Sequence, residues 1–336
     1  MKIIYCLLIS CTILSCTERK NNNINYARDT NYTLDTAWNK AANAYVVSQP
    51  TGIGVDNADH IFVFQRTGRH WTDPFPDSLI SQNTILELDN ATGKLINAWG
   101  ANQFIMPHGL AVDKANNIWV TDVALHQVFK FGHDGKLLMT LGVAKTPAND
   151  SDHFNLPTDI AFDDAGNVYV SDGYGNSRVV KFSAAGTFIK SWGSFGSKQG
   201  EFNIPHGITI DNKNNVYVAD RQNNRIQVFD TAGTFLKAIK NDQPVEQLPS
   251  VTLDAGNRLF AIDYDPRKKA DSTTNGSTFF GFDDSLHPTK HTGINASSER
   301  VTSWLHDIAL DGKGNIYVGD ITGLKVLKFK PVQPDK

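Results

Sequence analysis

The chain of 336 residues holds only three cysteines, Cys6, Cys11 and Cys16, all at its extreme N-terminus. A disulfide framework, a CxxC redox pair and a thiolate metal cluster are therefore excluded from the rest of the chain. Charge of one sign is also scarce: the net charge is −3 and the pI about 6.4. That balance leaves no basic footprint for nucleic acid, and no nucleic-acid partner is expected. Long helical periodicity is missing, and no apolar run reaches the ~20 residues of a membrane-spanning helix. Neither a phosphate-binding glycine loop nor a Ser/His/Asp nucleophile signature occurs.

The three cysteines lie in a leader. Lys2 followed by an apolar run to Leu14 has the form of a bacterial secretion signal over residues 1–15. Ile13-Leu14-Ser15-Cys16 reads as a lipobox, with Cys16 the acylated first residue of the mature chain; Leu8-Ile9-Ser10-Cys11 is a second candidate with a shorter apolar region. Residues 16–42, rich in Asn, Thr and charge, read as a tether. The expected location is the bacterial cell envelope, on the periplasmic or surface side of the outer membrane. The expected membrane partner is reached through a lipid anchor, which needs two or more acyl chains to hold stably.

Beyond the leader the sequence repeats. PTGIGVDNADHIFVFQR (50–66), PHGLAVDKANNIWVTDVALHQVFKF (107–131) and PTDIAFDDAGNVYVSDGYGNSRVVKF (157–182) align with one another. So do PHGITIDNKNNVYVADRQNNRIQVF (205–229), PSVTLDAGNRLFAIDYD (249–265) and LHDIALDGKGNIYVGDITGLKVLKF (305–329). Each unit reads as strand, Asn/Gly turn, strand, Asp-led loop and strand, usually followed by a fourth strand ending in Trp-Gly or Leu-Gly. The spacing is that of propeller blades. A unit apolar on both faces cannot bury itself alone, whereas six packed around an axis can. The expectation is an all-β, six-bladed β-propeller over residues 43–332. Residues 43–48 are expected to add the outer strand of the last blade, and residues 67–83 and 267–303 read as loops.

One slot varies in a pattern. Just before the innermost strand the six units carry Thr51, His108, Thr158, His206, Ser250 and His306. Histidine alternates with a small hydroxyl residue, so three imidazoles are spaced evenly around the axis. That is the arrangement of a three-histidine metal site with open positions, as in catalytic zinc. Residues just past the second strand return to the same end: Arg66, Tyr174, Arg221 and Tyr264. Arg66, Tyr174 and Arg221 do not recur from unit to unit and are the candidates for chemistry. The recurring Asp122, Asp172, Asp220, Asp263 and Asp320 read as turn acceptors for backbone N–H groups. His60, His70, His126, His133, His153, His287 and His291 show no repeat-equivalent placement and read as structural or solvated, although His70 could reach the pocket.

The three stretches containing PHGLAVDKANNIWVTD, PTDIAFDDAGNVYVSDGYGNSRVVKF and PHGITIDNKNNVYVADRQNNRIQVF resemble peptidyl-α-hydroxyglycine α-amidating lyases, enzymes built of NHL-type repeats. The resemblance covers about residues 50–330. It implies that His108, His206 and His306 bind a catalytic zinc. It implies that Arg66, Tyr174 and Arg221 form the reacting pocket. Asp307 with the carbonyls of Ile53 and Leu110 would hold a structural calcium, a hard cation suited to oxygen ligands. Two features depart from the family. Asn155 and Gly175 stand where the animal enzymes carry a disulfide, and Trp304 replaces a methionine two residues before the third histidine.

The activity so implied is cleavage of the C–N bond of a peptidyl or other N-acyl α-hydroxyglycine to an amide and glyoxylate; separately, a monomer is expected. Tyr174 would be the general base, its phenolate favoured by the positive charge of Arg66 and the metal. Arg221 would anchor Tyr174 or the substrate carboxylate. Two other classes fit the repeats: another metal-dependent propeller enzyme such as a lactonase, and a non-enzymatic binding lipoprotein.

Overall fold

A computed structural model describes residues 32–46, 48–240, 247–264, 277–283, 285–293 and 304–332. The leader, Cys16 and the first part of the tether lie outside these residues. The described chain forms six four-stranded antiparallel sheets, the blades of a β-propeller. Blade one comprises 50–55, 61–65, 85–88 and 95–99, from inner to outer strand, and blade two 107–112, 118–122, 127–131 and 137–141. Blade three follows at 159–162, 168–172, 178–182 and 188–192, and blade four at 205–210, 216–220, 225–229 and 235–240.

The second strand of each blade is buried on both faces, because neighbouring blades pack against it. Ile118–Asp122, Val168–Asp172 and Val216–Asp220 are buried at every position. Their runs of Val, Ile, Tyr and Trp suit a pleated strand enclosed on two sides. The turns between inner and second strands share one device. Asp113 accepts from the N–H groups of Ala115 and Asn117, and Asn116 takes a left-handed φ of 61°. Asp163, Asp211 and Asp311 repeat the device with Gly166, Asn214 and Gly314. Asn and Gly are the residues that tolerate that φ, which is why the turns were legible.

Two expectations are corrected. Residues 43–48 do not close the ring: the outer strand of blade six, beside 305–310, 316–320 and 325–331, is Tyr32–Leu34, with Leu34 opposite Phe329. A helix, Thr36–Ala42, follows it, capped by Asp35 and burying Trp38 and Ala42. The Trp38 ring stands edge-on to Tyr317 at 5.3 Å and its Nε1 donates to the Asp89 carbonyl at 3.0 Å. Asn43 then exchanges two hydrogen bonds with the Val326 backbone, so that stretch serves as a bracket rather than a strand. Part of the expected tether is thus folded. Likewise, 267–303 is not all loop: Ser277–Phe282 and Pro288–Gly293 are the third and outer strands of blade five, beside 251–253 and 259–264. Phe279 and Phe280 bury in two different cores, on either side of that blade. Residues 67–83 contain no strand, as expected of a loop.

Candidate active site

Each slot histidine lies within its inner strand rather than just before it, as the second residue of 107–112, 205–210 and 305–310. The pairing with the second strand shifts register at that point in all three blades. Such a bulge re-aims a side chain, here toward the axis. Gly109 and Gly207 follow the first two histidines because the inner strands come too close for a side chain: a Cβ on Gly109 would stand 2.4 Å from the Thr158 carbonyl oxygen.

The three imidazoles meet. Ring centroids are 4.8 Å apart for His108 and His206, 4.6 Å for His108 and His306, and 5.0 Å for His206 and His306. All three are buried. His108 Nδ1 lies 2.8 Å from the Thr158 carbonyl, His206 Nδ1 2.7 Å from that of Pro249, and His306 Nδ1 2.7 Å from that of Thr51. A carbonyl only accepts, so each Nδ1 carries the proton and each Nε2 presents its lone pair. Burial and the neighbouring rings hold His108 and His206 far below the usual histidine range, and burial with Arg66 brings His306 down to about 3. Neutral imidazoles with fixed tautomers are the form that ligates a metal. The donor set fits zinc.

Tyr174 arrives from the loop after the second strand of blade three. Its hydroxyl lies 3.1 Å from His108 Nε2 and 2.9 Å from His206 Nε2, and Arg221 Nη1 donates to it at 3.4 Å. The loop is pinned by Gly175 N–H donating to the Asn155 carbonyl at 3.0 Å. A Cβ on Gly175 would stand 2.1 Å from Asn155 Cγ, so these two positions are immediate neighbours. Arg66 is buried, donating through Nε to the Pro107 carbonyl at 3.0 Å and through Nη1 to Gln49 at 3.1 Å. Burial lowers its pKa to about 10, so it stays a cation at neutral pH. Arg221 donates through Nε to Gln247 at 2.9 Å and lies over the Trp304 ring. Trp304 stacks on Tyr264 at 4.3 Å and 7°.

The loop 67–83 closes over this group. Trp71 packs on Tyr174 with centroids 5.0 Å apart and lies under Arg66. Sequence reasoning missed Trp71, Gln49 and Gln247, which belong to no repeat. His70 is exposed and lines a groove within its own loop instead. His126 accepts from the Leu156 N–H, and His153 pairs with Asp150. The His291 side chain lies outside the described residues.

Below the histidines the axis opens into a channel of about 300 Å³, lined among others by Ile53, Leu110, Asp159 and Asp307. Asp307 accepts from Ser250 Oγ at 2.7 Å and from the Ile53 N–H at 2.7 Å. Asp159, which the sequence reading passed over, holds the same slot as Asp307, one residue past Thr158. Burial raises both carboxyls, Asp307 to about 6 and Asp159 further because it faces Asp307. Two buried carboxylates lining one channel are oxygen donors of the kind calcium takes. The recurring acids are turn acceptors: Asp122 alone takes the N–H groups of Ile105, Met106, Ala124 and Leu125.

Among known proteins, the NHL repeat family model matches residues 104–131, 154–182 and 202–229, the cores of blades two to four. Peptidyl-alpha-hydroxyglycine alpha-amidating lyase 1 of Drosophila melanogaster is 34% identical over 338 residues, covering 89% of this chain and 59% of that protein. Peptidyl-glycine alpha-amidating monooxygenase B of Xenopus laevis is 37% identical over 313 residues, covering 85% of this chain. The chain spans 34% of that protein's length. Among solved structures, a gluconolactonase of Xanthomonas campestris superposes with a TM-score of 0.60 at 11% identity, over 85% of this chain and 87% of that one. A streptogramin B lyase superposes at 0.58 and 15% identity, over 86% of this chain and 95% of that one. At such identities these two show the fold alone.

Proposed function

The chain belongs to the NHL-repeat family of the peptidyl-α-hydroxyglycine α-amidating lyases, and from that premise we propose that it cleaves an N-acyl or peptidyl α-hydroxyglycine to the amide and glyoxylate. The observation that carries the reading is the Tyr174 hydroxyl between His108 Nε2 and His206 Nε2, with Arg221 beside it.

His108, His206 and His306 would hold a zinc ion, which when bound supplies Lewis-acid polarisation of the substrate hydroxyl. Tyr174 takes the hydroxyl proton as general base. The carbinol carbon becomes the aldehyde carbon of glyoxylate as its bond to nitrogen breaks. The proton held on the Tyr174 oxygen passes to the leaving amide nitrogen, so atoms and charge balance without added water. Arg221 keeps the phenol in place by donating to its oxygen. Arg66, buried and cationic, offers the matching charge for the substrate carboxylate. Trp71 and the stacked Trp304 and Tyr264 wall the pocket with apolar surface, and Trp304 in place of a flexible methionine favours a flat acyl group beside it.

Asp307 and the carbonyls of Ile53 and Leu110 are proposed to hold a structural calcium ion, with Asp159 as a further oxygen donor. The leader sequence supports the further proposal that the chain is tethered at the cell envelope through Cys16, a reading that lipid labelling of the chain and of Cys16→Ser tests. The decisive experiment for the activity is incubation of the zinc-loaded protein with α-hydroxyhippurate. Benzamide and glyoxylate should form in equal amounts; a folded, zinc-loaded protein that forms neither overturns the reading.

A further inference from the structure

At the opposite end of blade one's inner strand from the histidine ring lies a second set of donors. Asp56, His60, Glu87 and His133 each bring a ligand atom within 4.8 Å of the others. His60 Nδ1 is 3.1 Å from Asp56 Oδ2 and 3.2 Å from Glu87 Oε1. His133 Nε2 is 3.1 Å and 3.5 Å from the same two oxygens. The carboxylate side chains are 1% and 3% exposed, whereas the rings are 31% and 41% exposed. The cluster is thus buried on its anionic side and open to solvent on its imidazole side. Its parts are fixed: Asp56 Oδ1 accepts the N–H groups of Ala58 and His60, which leaves Oδ2 for the rings. The His133 ring stands edge-on to Phe62 at 5.5 Å.

The other blades show what this place ordinarily contains. Asp113 Oδ2 meets Trp119 Nε1 and Asn117, with Lys130 at 3.6 Å. Asp163 Oδ2 meets the Tyr169 hydroxyl and Asn167, with Lys181 at 3.6 Å. Those lysines pair in register with the ring residues Trp119 and Tyr169, as Lys328 does with Tyr317 in blade six. In blade one the Asn position is His60, the donor ring is Phe62, and the residue opposite Phe62 is Glu87. A cation and a neutral donor have been exchanged for a second carboxylate and an imidazole, and blade two adds His133 from the turn after its third strand. Two buried carboxylates side by side are costly without compensating positive charge. Burial accordingly pushes the Glu87 carboxyl up, against the pull of the two rings.

We infer that Asp56, His60, Glu87 and His133 form a second metal site, for a zinc-like divalent ion, that ties blade one to blade two. Two imidazole nitrogens and two carboxylate oxygens are a four-ligand set suited to tetrahedral zinc, whereas calcium and magnesium call for more oxygens. His60 takes the place, four residues past the turn aspartate, that Asn117, Asn167, Asn215 and Asn315 hold in other blades.

The test uses the full chain carrying His206→Ala, which breaks the axial triad, stripped with chelator and titrated with Zn2+ by calorimetry. One equivalent of zinc should still bind and should raise Tm. Adding Glu87→Gln or His133→Asn should weaken that binding at least ~100-fold, since even outer-shell changes cost 10–100-fold. A folded His206→Ala protein that binds no zinc, or binds it equally well with Glu87→Gln, overturns the inference. Should His206→Ala fail to fold, metal content of the unaltered chain decides: two zinc equivalents falling to one with Glu87→Gln support the site, and no change refutes it. Activity plays no part in the readout, so the axial reading and this one fail separately.

Discussion

His306 donates its Nδ1 proton to the backbone carbonyl of Thr51 at 2.7 Å, across 255 residues of chain. This contact joins the last blade to the first and at the same time sets which imidazole nitrogen faces the axis. Ring closure and ligand geometry are therefore one structural event. His108 makes the same contact with the slot residue Thr158 of the next blade, and His206 with Pro249, the residue just before the slot Ser250.

Replacing His206 by Ala should remove the axial zinc and take turnover of α-hydroxyhippurate below detection. Metal analysis alongside the glyoxylate assay measures both. Normal turnover by a variant lacking axial zinc would rule out a metal-assisted reaction.

Tyr174→Phe removes one hydroxyl from a packed ring. Turnover should fall by about 10²–10⁴-fold, the usual scale for a general base. The melting temperature and bound zinc should stay near those of the parent. Loss of zinc in step with activity would instead make the phenol a metal ligand.

Calcium should raise Tm at pH 7.5 by engaging Asp307, and the gain should shrink as pH falls through about 6. Burial has raised that carboxyl to about 6, so below it a proton competes with the ion. In calcium-free protein the sign reverses: a raised carboxyl pKa means Asp307 costs stability as pH rises from the ordinary carboxylate range through about 6. Asp307→Asn should abolish the calcium effect at every pH. Thermal melts with and without chelator across that range decide it.

The folded part begins before residue 43. A chain starting at residue 30 should unfold like the full one, whereas a chain starting at residue 43 should be much less stable or insoluble. Trp38→Ala in the full chain should cost about 3–5 kcal/mol, the scale for emptying a buried aromatic site. Urea unfolding measures both, and equal stability of the two truncations would show that Tyr32–Leu34 and the helix after it contribute nothing.

Much of this protein was determined by its sequence alone, because the blade is a local unit written six times. The Asn and Gly turns, the β-branched second strands and the alternation at the histidine slot follow from period, φ tolerance and burial, which neighbours in sequence specify. The axial triad was legible for the same reason: equal positions in alternate blades must converge once the ring closes.

Only the tertiary structure decided what depends on contacts between distant segments. Tyr32–Leu34 closes the ring because Phe329 offers it an open edge, and no local pattern in an Asn-rich stretch announces that pairing. Trp71 covers Tyr174 from a loop that matches no other blade. Glu87 and His133 meet because two neighbouring blades face each other there, and that juxtaposition exists only when apolar packing has brought them into register.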